Sequence, residues 1–336
     1  MKSVFCTWGI RTGCAVDTAW RRIRTIFEIS GAEFGYVLRG VSTADLFKAN
    51  WSQIRRAEKI YCATIWQVFI VYIISFGSGA EIVYWVQGLV AEENYLKKKS
   101  RFRYFVLLCL EKAGFNFASS FIFVSEFMRD FYFRRYPSAR GKRSLVIPCV
   151  SDLNASRDIQ RIEDSYCYLG GMSAWQKFDV VVRIMNMVVD NNPGSTFYVA
   201  TRDIQICESV LRAIASPRLL NVTSVCTLNG DEEVSRFLSG VEFGFLIRDD
   251  NLVNNVSSPI KLAEYLSCGV SVITTDALRS YADSVREAGY VIQPEVFLSS
   301  PAIDCFRYKG ELAAIEVHRR LFSQSSVLAA VRGFLN

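Results

Sequence analysis

The chain has a single histidine among its 336 residues, His318, in a segment with helical periodicity near the end of the sequence. A Ser-His-Asp triad, a Cys-His pair and His-ligated zinc all need an imidazole beside the reacting centre, so this sequence offers them little. No two aspartates are spaced as D-x-D, which removes the usual carboxylate pair for a divalent cation. The ten cysteines are scattered singly without C-x-x-C spacing, as expected of small core residues in a reducing cytosol rather than of disulfides or zinc ligands. A G-x-G-x-x-G fingerprint is absent, and Gly9 to Gly13 is a weak glycine loop. Long apolar runs are missing too. Ala63 to Phe76 (ATIWQVFIVYIISF) falls short of the roughly 20 residues a membrane span needs, contains Gln67 and stops at Gly77-Ser-Gly79, so a buried helix is expected there. Met1-Lys-Ser leads at once into Val4 to Trp8 and Arg11, unlike a signal peptide.

What is present is a folded α/β composition. With 51% hydrophobic and 21% charged residues the chain can bury two ordinary cores. The net charge of +6 is unevenly spread: Lys97 to Arg143 holds twelve Lys/Arg against Glu111, Glu126 and Asp130. The helix in this stretch has an apolar face at Phe102, Phe105, Val106, Cys109, Leu110 and Ala113. That combination suits an anionic lipid surface or a phosphorylated ligand, and equally a solvated face backed by a core-facing stripe. No nucleic-acid-reading module accompanies the basic stretch, so nucleic acid is not an expected partner.

Short β-branched runs alternate with amphipathic helices throughout, which argues for α/β architecture with parallel sheets. In a first round, strands are expected at 4–8, 34–38, 81–86, 121–124 and 145–147. In a second round they are expected at 166–169, 196–200, 222–226, 243–247, 270–274 and 290–292. The polar stretch Pro148 to Asp158 separates the rounds. The expected division is therefore 1–155, 156–315 and a C-terminal helix 316–336 able to pack back on the first domain. Two Rossmann-like halves facing a central cleft would bind ligand at the carboxyl ends of their strands. Gly170-Gly171, Arg202 and Arg248 follow strands of the second half, and Gln87 follows one of the first.

The most informative stretch is Asn255-Val-Ser-Ser-Pro-Ile-Lys-Leu-Ala-Glu-Tyr-Leu-Ser-Cys-Gly269, which runs into Val270-Ser-Val-Ile-Thr-Thr275. Ser258 is placed to cap a helix, Pro259 suits its first position, and Gly269 can end it in a left-handed turn. The free N–H groups around Ser257, Ser258, Pro259 and Ile260 and the dipole favour an anion, Lys261 adds a full charge, and Glu264, one turn on, can accept two sugar hydroxyls. A nucleotide diphosphate fits this layout.

These residues resemble glycosyltransferases of the GT-B fold, specifically the GT4-like group. The likeness rests on Phe121-Ile-Phe-Val-Ser-Glu-Phe-Met128, on Val146-Ile-Pro148 with Asp152, on Tyr168-Leu-Gly-Gly-Met172 with Lys177, and above all on Ser258 to Gly269 followed by Val-Ser-Val-Ile. It implies transfer of a sugar from a nucleotide-sugar donor, held by the second domain, to a glycan or lipid-linked acceptor on the first. Glu264 would bind the ribose, residues 258–261 the diphosphate, and Lys177 the charge of the leaving phosphate. Gly13, Asp17, Glu92 and Glu93 would lie on the acceptor side, the three carboxylates being the available bases for an inverting route. Without D-x-D or a usable histidine, fixed donors and cations must offset the phosphate charge, which fits a metal-independent and retaining route needing no cofactor. The expected setting is the cytoplasm, with the basic first domain docked on the inner face of the cell membrane and the product a bacterial-type surface or lipid-linked glycan. The pattern also departs from the family. Val256 stands where a second glutamate is frequent, Gly171 replaces an arginine for which Arg202 or Arg248 would substitute, Gln87 replaces a histidine, and Ser271 a proline. These changes keep open a catalytically silent GT-B scaffold that binds a partner or glycan.

Overall fold

The computed structural model describes residues 3–7, 15–38, 51–299 and 306–335. The chain forms two compact units, Met1–Val150 with Gln324–Asn336, and Ser151–Ser323. The sequence puts the boundary near 155 and begins the returning helix at 316. Residues 316–323 instead stay with the second unit, and the return starts at Gln324.

The first unit is a parallel sheet of β1 (Ser3–Cys6), β2 (Phe34–Leu38), β3 (Lys59–Cys62), β4 (Glu81–Val86), β5 (Ser120–Phe123) and β6 (Arg143–Val146), in the order β2-β1-β3-β4-β5-β6. Strand β3 is the one the sequence reading omits. It is four residues long, opens on a lysine and merges with the apolar run that follows, so no alternation marks it off. All four of its residues are buried, and Lys59 is tolerated there because Nζ lies 3.3 Å from Glu81 Oε2. On one face Trp20 stacks between Phe5 (4.2 Å) and Trp85 (4.9 Å) and donates its indole N–H to Cys6 O at 2.7 Å. The helix Gln324–Leu335 ends beside β6, where Arg143 donates to Phe334 O at 2.6 Å, a cation at a carbonyl-rich helix end.

The apolar run 63–76 forms the helix Ile65–Ile74. Thr64 and Gln67 close a capping box over its first turn, so Gln67 works as a cap residue and not as a break in the run. The expected burial is only half realised: Ile65, Val68, Val71 and Ile74 face the core, whereas Trp66, Ile73 and Phe76 are exposed.

The second unit is a parallel sheet of β7 (Ser165–Leu169), β8 (Thr196–Ala200), β9 (Thr223–Cys226), β10 (Phe243–Leu246), β11 (Ser271–Thr274) and β12 (Tyr290–Val291), in the order β12-β11-β10-β7-β8-β9. Winding proceeds outward from β7 to β9, then returns to the other side of β7 at β10. The loops leaving β7 and β10 therefore part at a topological switch point, where open α/β sheets leave a crevice for ligand. Among the described residues no helix is long and apolar enough to cross a membrane. The eight described cysteines are free thiols. Five are buried as core residues, but Cys109 is exposed.

Candidate active site

The motif helix of the second unit spans Ile260–Ser267. Its cap position is taken by Pro259, not Ser258, and Pro259 has no side chain able to accept an N–H bond, so the first-turn donors gain no cap from it. At the other end Gly269 adopts φ +76°, the left-handed turn the sequence implies. A methyl there would also strike Glu311 and Arg161. Arg161 donates to Cys268 O at 2.8 Å and so fixes this end of the helix. Tyr265 fixes its middle: the buried hydroxyl accepts from Leu169 N at 2.9 Å and donates to Phe245 O at 3.2 Å. One side chain thus ties the helix to both strands that flank the switch point.

Above those strands lies a cluster of cations. Lys261 Nζ lies over Gly170, close enough that a Cβ at 170 would collide with it and with Gln176 Oε1. Its hydrogen bond goes to Gln176 Oε1 at 3.3 Å, and the Tyr168 hydroxyl lies 2.9 Å from the same oxygen and 2.6 Å from Gly171 O. Burial, and then the neighbouring Arg248, push the Lys261 ammonium down to about 7. Arg248, on the loop after β10, is itself lowered by burial. Glu264, one turn on, acts the other way and favours the charged form of Lys261. Lys177 is held by a carboxylate. It precedes the helix Phe178–Asn191 in the left-handed conformation (φ 50°, ψ 43°), and Nζ lies 2.9 Å from Asp249 Oδ1. That hydrogen bond raises its pKa. A lysine in this backbone region is strained by about 1 kcal/mol.

Gly170, Gly171, Lys177, Arg248 and Lys261 thus gather at the switch point, with Glu264 one turn into the helix and half-buried. Ser257 turns back to Asn254 O at 2.9 Å, Ser258 is buried, and Pro259 and Ile260 are half-buried at the helix entry. Arg202 is exposed and makes no ion pair among the described residues. Its neighbour Asp203 faces Gly171 instead, accepting from Met172 N at 3.0 Å. Of the two candidates to replace the missing arginine, only Arg248 sits beside Lys261. Val256 is buried. Asn254, two residues earlier, holds Asp249 O at 2.9 Å, and the Asn255 Oδ1 is buried with no partner. Gln176, Tyr168, Asp249 and Asp203 do not stand out as site residues in the sequence, whereas Asn254 and Asn255 are the residues it offers in place of a glutamate at 256. The first four arrive from different loops, and the sole local signal is a tyrosine at the end of a strand before a glycine pair.

In the first unit Gln87 follows β4 and donates to Ala63 O at 3.1 Å, bridging the loops after β3 and β4. Glu92 is ion-paired with Arg135 and accepts from the Tyr104 hydroxyl at 3.1 Å, while its other oxygen is buried and unpartnered. Glu93 lies over Gly88, and burial raises its carboxyl. Behind them Glu111, 2% exposed, takes bonds from Ala91 N (3.1 Å) and the Tyr136 hydroxyl (3.2 Å), and burial pushes it up to about 7. Asp17 is on the helix Ala15–Ile29 with its side chain outside the described residues, and Gly13 is outside them altogether. His318 bonds Ser151 O at 3.0 Å and takes no part in either cluster. Among the described residues no group of three or more His, Cys, Asp or Glu is placed to hold a metal.

No family model and no curated protein matches the chain in sequence. Solved structures do match in fold. Anabaena Alr3699/HepE in complex with UDP is similar over 100% of this chain and 99% of its own, with a TM-score of 0.70 at 12% identity. Sucrose-phosphate synthase from Thermosynechococcus elongatus is similar over 98% and 97%, with a TM-score of 0.67 at 12% identity. The pneumococcal O-GlcNAc transferase GtfA, in complex with UDP and GlcNAc, gives a TM-score of 0.63 at 11% identity over 86% of this chain, which spans 60% of that longer one. The fold is GT-B, with two parallel six-stranded sheets and their flanking helices.

Proposed function

We propose that the protein is a GT4-like glycosyltransferase, moving a hexose from a nucleotide-sugar donor to a glycan or lipid-linked acceptor without a metal and with retention at the anomeric carbon. The observation that carries this reading is the pair Arg248 and Lys261 at the switch point of the second unit, two half-buried cations close enough for each to feel the other, beside the N-terminus of the motif helix. Such a spot is costly unless an anion fills it. Binding of UDP or UDP-glucose by structural neighbours of the same fold supports a uridine diphosphate donor.

In this reading the diphosphate lies against Lys261, Arg248 and the amides of residues 260 and 261, and Glu264 accepts the ribose hydroxyls. As the bond from the anomeric carbon to the phosphate oxygen breaks, negative charge grows on that phosphate. Lys177, Arg248 and Lys261 are already in place to offset it. The acceptor oxygen bonds to the same face of the sugar, and its proton passes to the departing phosphate. Glu92 and Glu93 of the first unit serve acceptor binding. Glu92, held by Arg135, orients polar groups, and Glu93 is the better proton acceptor should the route invert. The test is turnover of a panel of UDP-, GDP-, ADP-, dTDP- and CMP-sugars in the presence of a chelator, with the product anomer read by NMR. Turnover of none of them, or only with added metal, overturns the reading.

The Lys177–Asp249 ion pair favours a second reading, a silent scaffold whose leaving-group cation is paired with a carboxylate of its own unit. Donor hydrolysis that disappears in Lys177→Ala and Glu264→Ala, with the fold retained, excludes it.

A further inference from the structure

The helix Arg101–Phe117 has two apolar faces, and only one of them is covered. Glu111, Gly114 and Phe115 are buried, Phe115 stacking on Tyr132 at 4.6 Å. The other face carries Phe102, Phe105, Val106 and Cys109, spaced i, i+3, i+4, i+7, and all four are exposed, Phe102 at 78% and Phe105 at 66%. They are four of the six residues of the apolar face read from sequence, and the other two, Leu110 and Ala113, are half-buried. On the preceding helix, Val90–Lys98, Leu96 is exposed as well. The neighbouring helix Ile65–Ile74, joined through Tyr72 stacked on Phe117 at 4.0 Å, adds exposed Trp66 and Ile73, with Phe76 just beyond its end.

The charges on this surface have one sign. Lys97, Lys98, Lys99, Arg101, Arg103 and Lys112 are all exposed, and the single carboxylate between 96 and 112, Glu111, is buried on the inner face. The helix Ile65–Ile74 contains no charged residue.

We propose that this surface docks on an anionic lipid bilayer, with the helix Arg101–Phe117 lying in the plane of the interface. Two phenylalanines one turn apart reach below the headgroups while lysines and arginines on either side meet lipid phosphates, the division of labour of an interfacial amphipathic helix. A second copy of the chain would cover the apolar residues only by setting six like charges against six others. The proposal does not depend on the glycosyl-transfer reading.

The full chain is sedimented with vesicles of phosphatidylcholine alone and of phosphatidylcholine with phosphatidylglycerol, in low salt and in about 0.5 M salt. Binding to the anionic vesicles should exceed binding to the neutral ones by about tenfold or more and weaken in high salt. Phe102→Ser with Phe105→Ser, and separately Lys97→Glu with Lys98→Glu and Lys99→Glu, should each reduce it by about tenfold. Both sets are surface changes, so an unaltered melting temperature accompanies the loss. Equal binding to both vesicle types, indifference to both sets of substitutions, or vesicle-free self-association abolished by the phenylalanine changes would overturn the proposal, the last by naming a second copy as the occupant.

Discussion

Lys177 Nζ lies 2.9 Å from Asp249 Oδ1, joining the loop after β7 to the loop after β10 across the switch point of the second unit. An incoming phosphate must compete with this carboxylate. Both side chains are more than a third exposed, so the contest is mild, about 0.5–1 kcal/mol. Asp249→Asn is expected to tighten binding of a nucleoside diphosphate by about two- to fivefold, and Lys177→Ala to weaken it by a similar factor, both read by titration calorimetry. Weaker binding in Asp249→Asn would instead give Asp249 a direct contact with ligand hydroxyls.

Lys261 sets a pH dependence. Its ammonium is held down to about 7 by burial and by Arg248, and a bound diphosphate stabilises the charged form. Below pH 7 the lysine is charged with or without ligand, so affinity stays level. Above 7 binding must take up a proton, and affinity falls with rising pH by at most about tenfold per unit. Calorimetry at pH 8 in two buffers of different ionisation enthalpy should report proton uptake on binding, and Lys261→Gln should abolish it.

The hydroxyl of Tyr265 accepts from Leu169 N and donates to Phe245 O inside the second core. Tyr265→Phe leaves the buried Phe245 carbonyl and the half-buried Leu169 amide without this partner, a loss of about 1–3 kcal/mol in unfolding free energy. Urea denaturation checks the figure. Because the same hydroxyl sets the height of the motif helix above the strands, diphosphate affinity should fall together with stability. A stable variant with unchanged affinity would show that helix packing alone positions the site.

Much of the architecture is legible because its signals are local. The strands 34–38, 81–86 and 196–200 coincide with those read from sequence, and Gly269 ends the motif helix as a glycine in that place should. Strand β3 escapes because its four buried residues run straight into an apolar helix, leaving no change of period to see. The apolar face of Phe102 and Phe105 is visible in the sequence but its direction is left open there, because on a helix apolar on two sides periodicity cannot say which side meets the core. Within the site, Glu264, Lys261 and Gly170 are legible as a motif. Gln176, Asp203 and Asp249 are not, since each gains its meaning from a partner on another loop. The same holds for Arg248 and Arg202, which look alike in sequence and part company only when the sheet order sets the loop after β10 beside the one after β7.

Calorimetric titration of UDP-glucose in chelator, on the unaltered chain and on Arg248→Gln and Lys261→Gln, tests the central claim most directly. The account predicts saturable one-to-one binding that weakens by about tenfold or more in each variant while the melting temperature holds or rises, since each substitution removes one of two neighbouring half-buried like charges. Failure of this and every other nucleotide sugar to bind, or binding of the same strength in both variants, would contradict it.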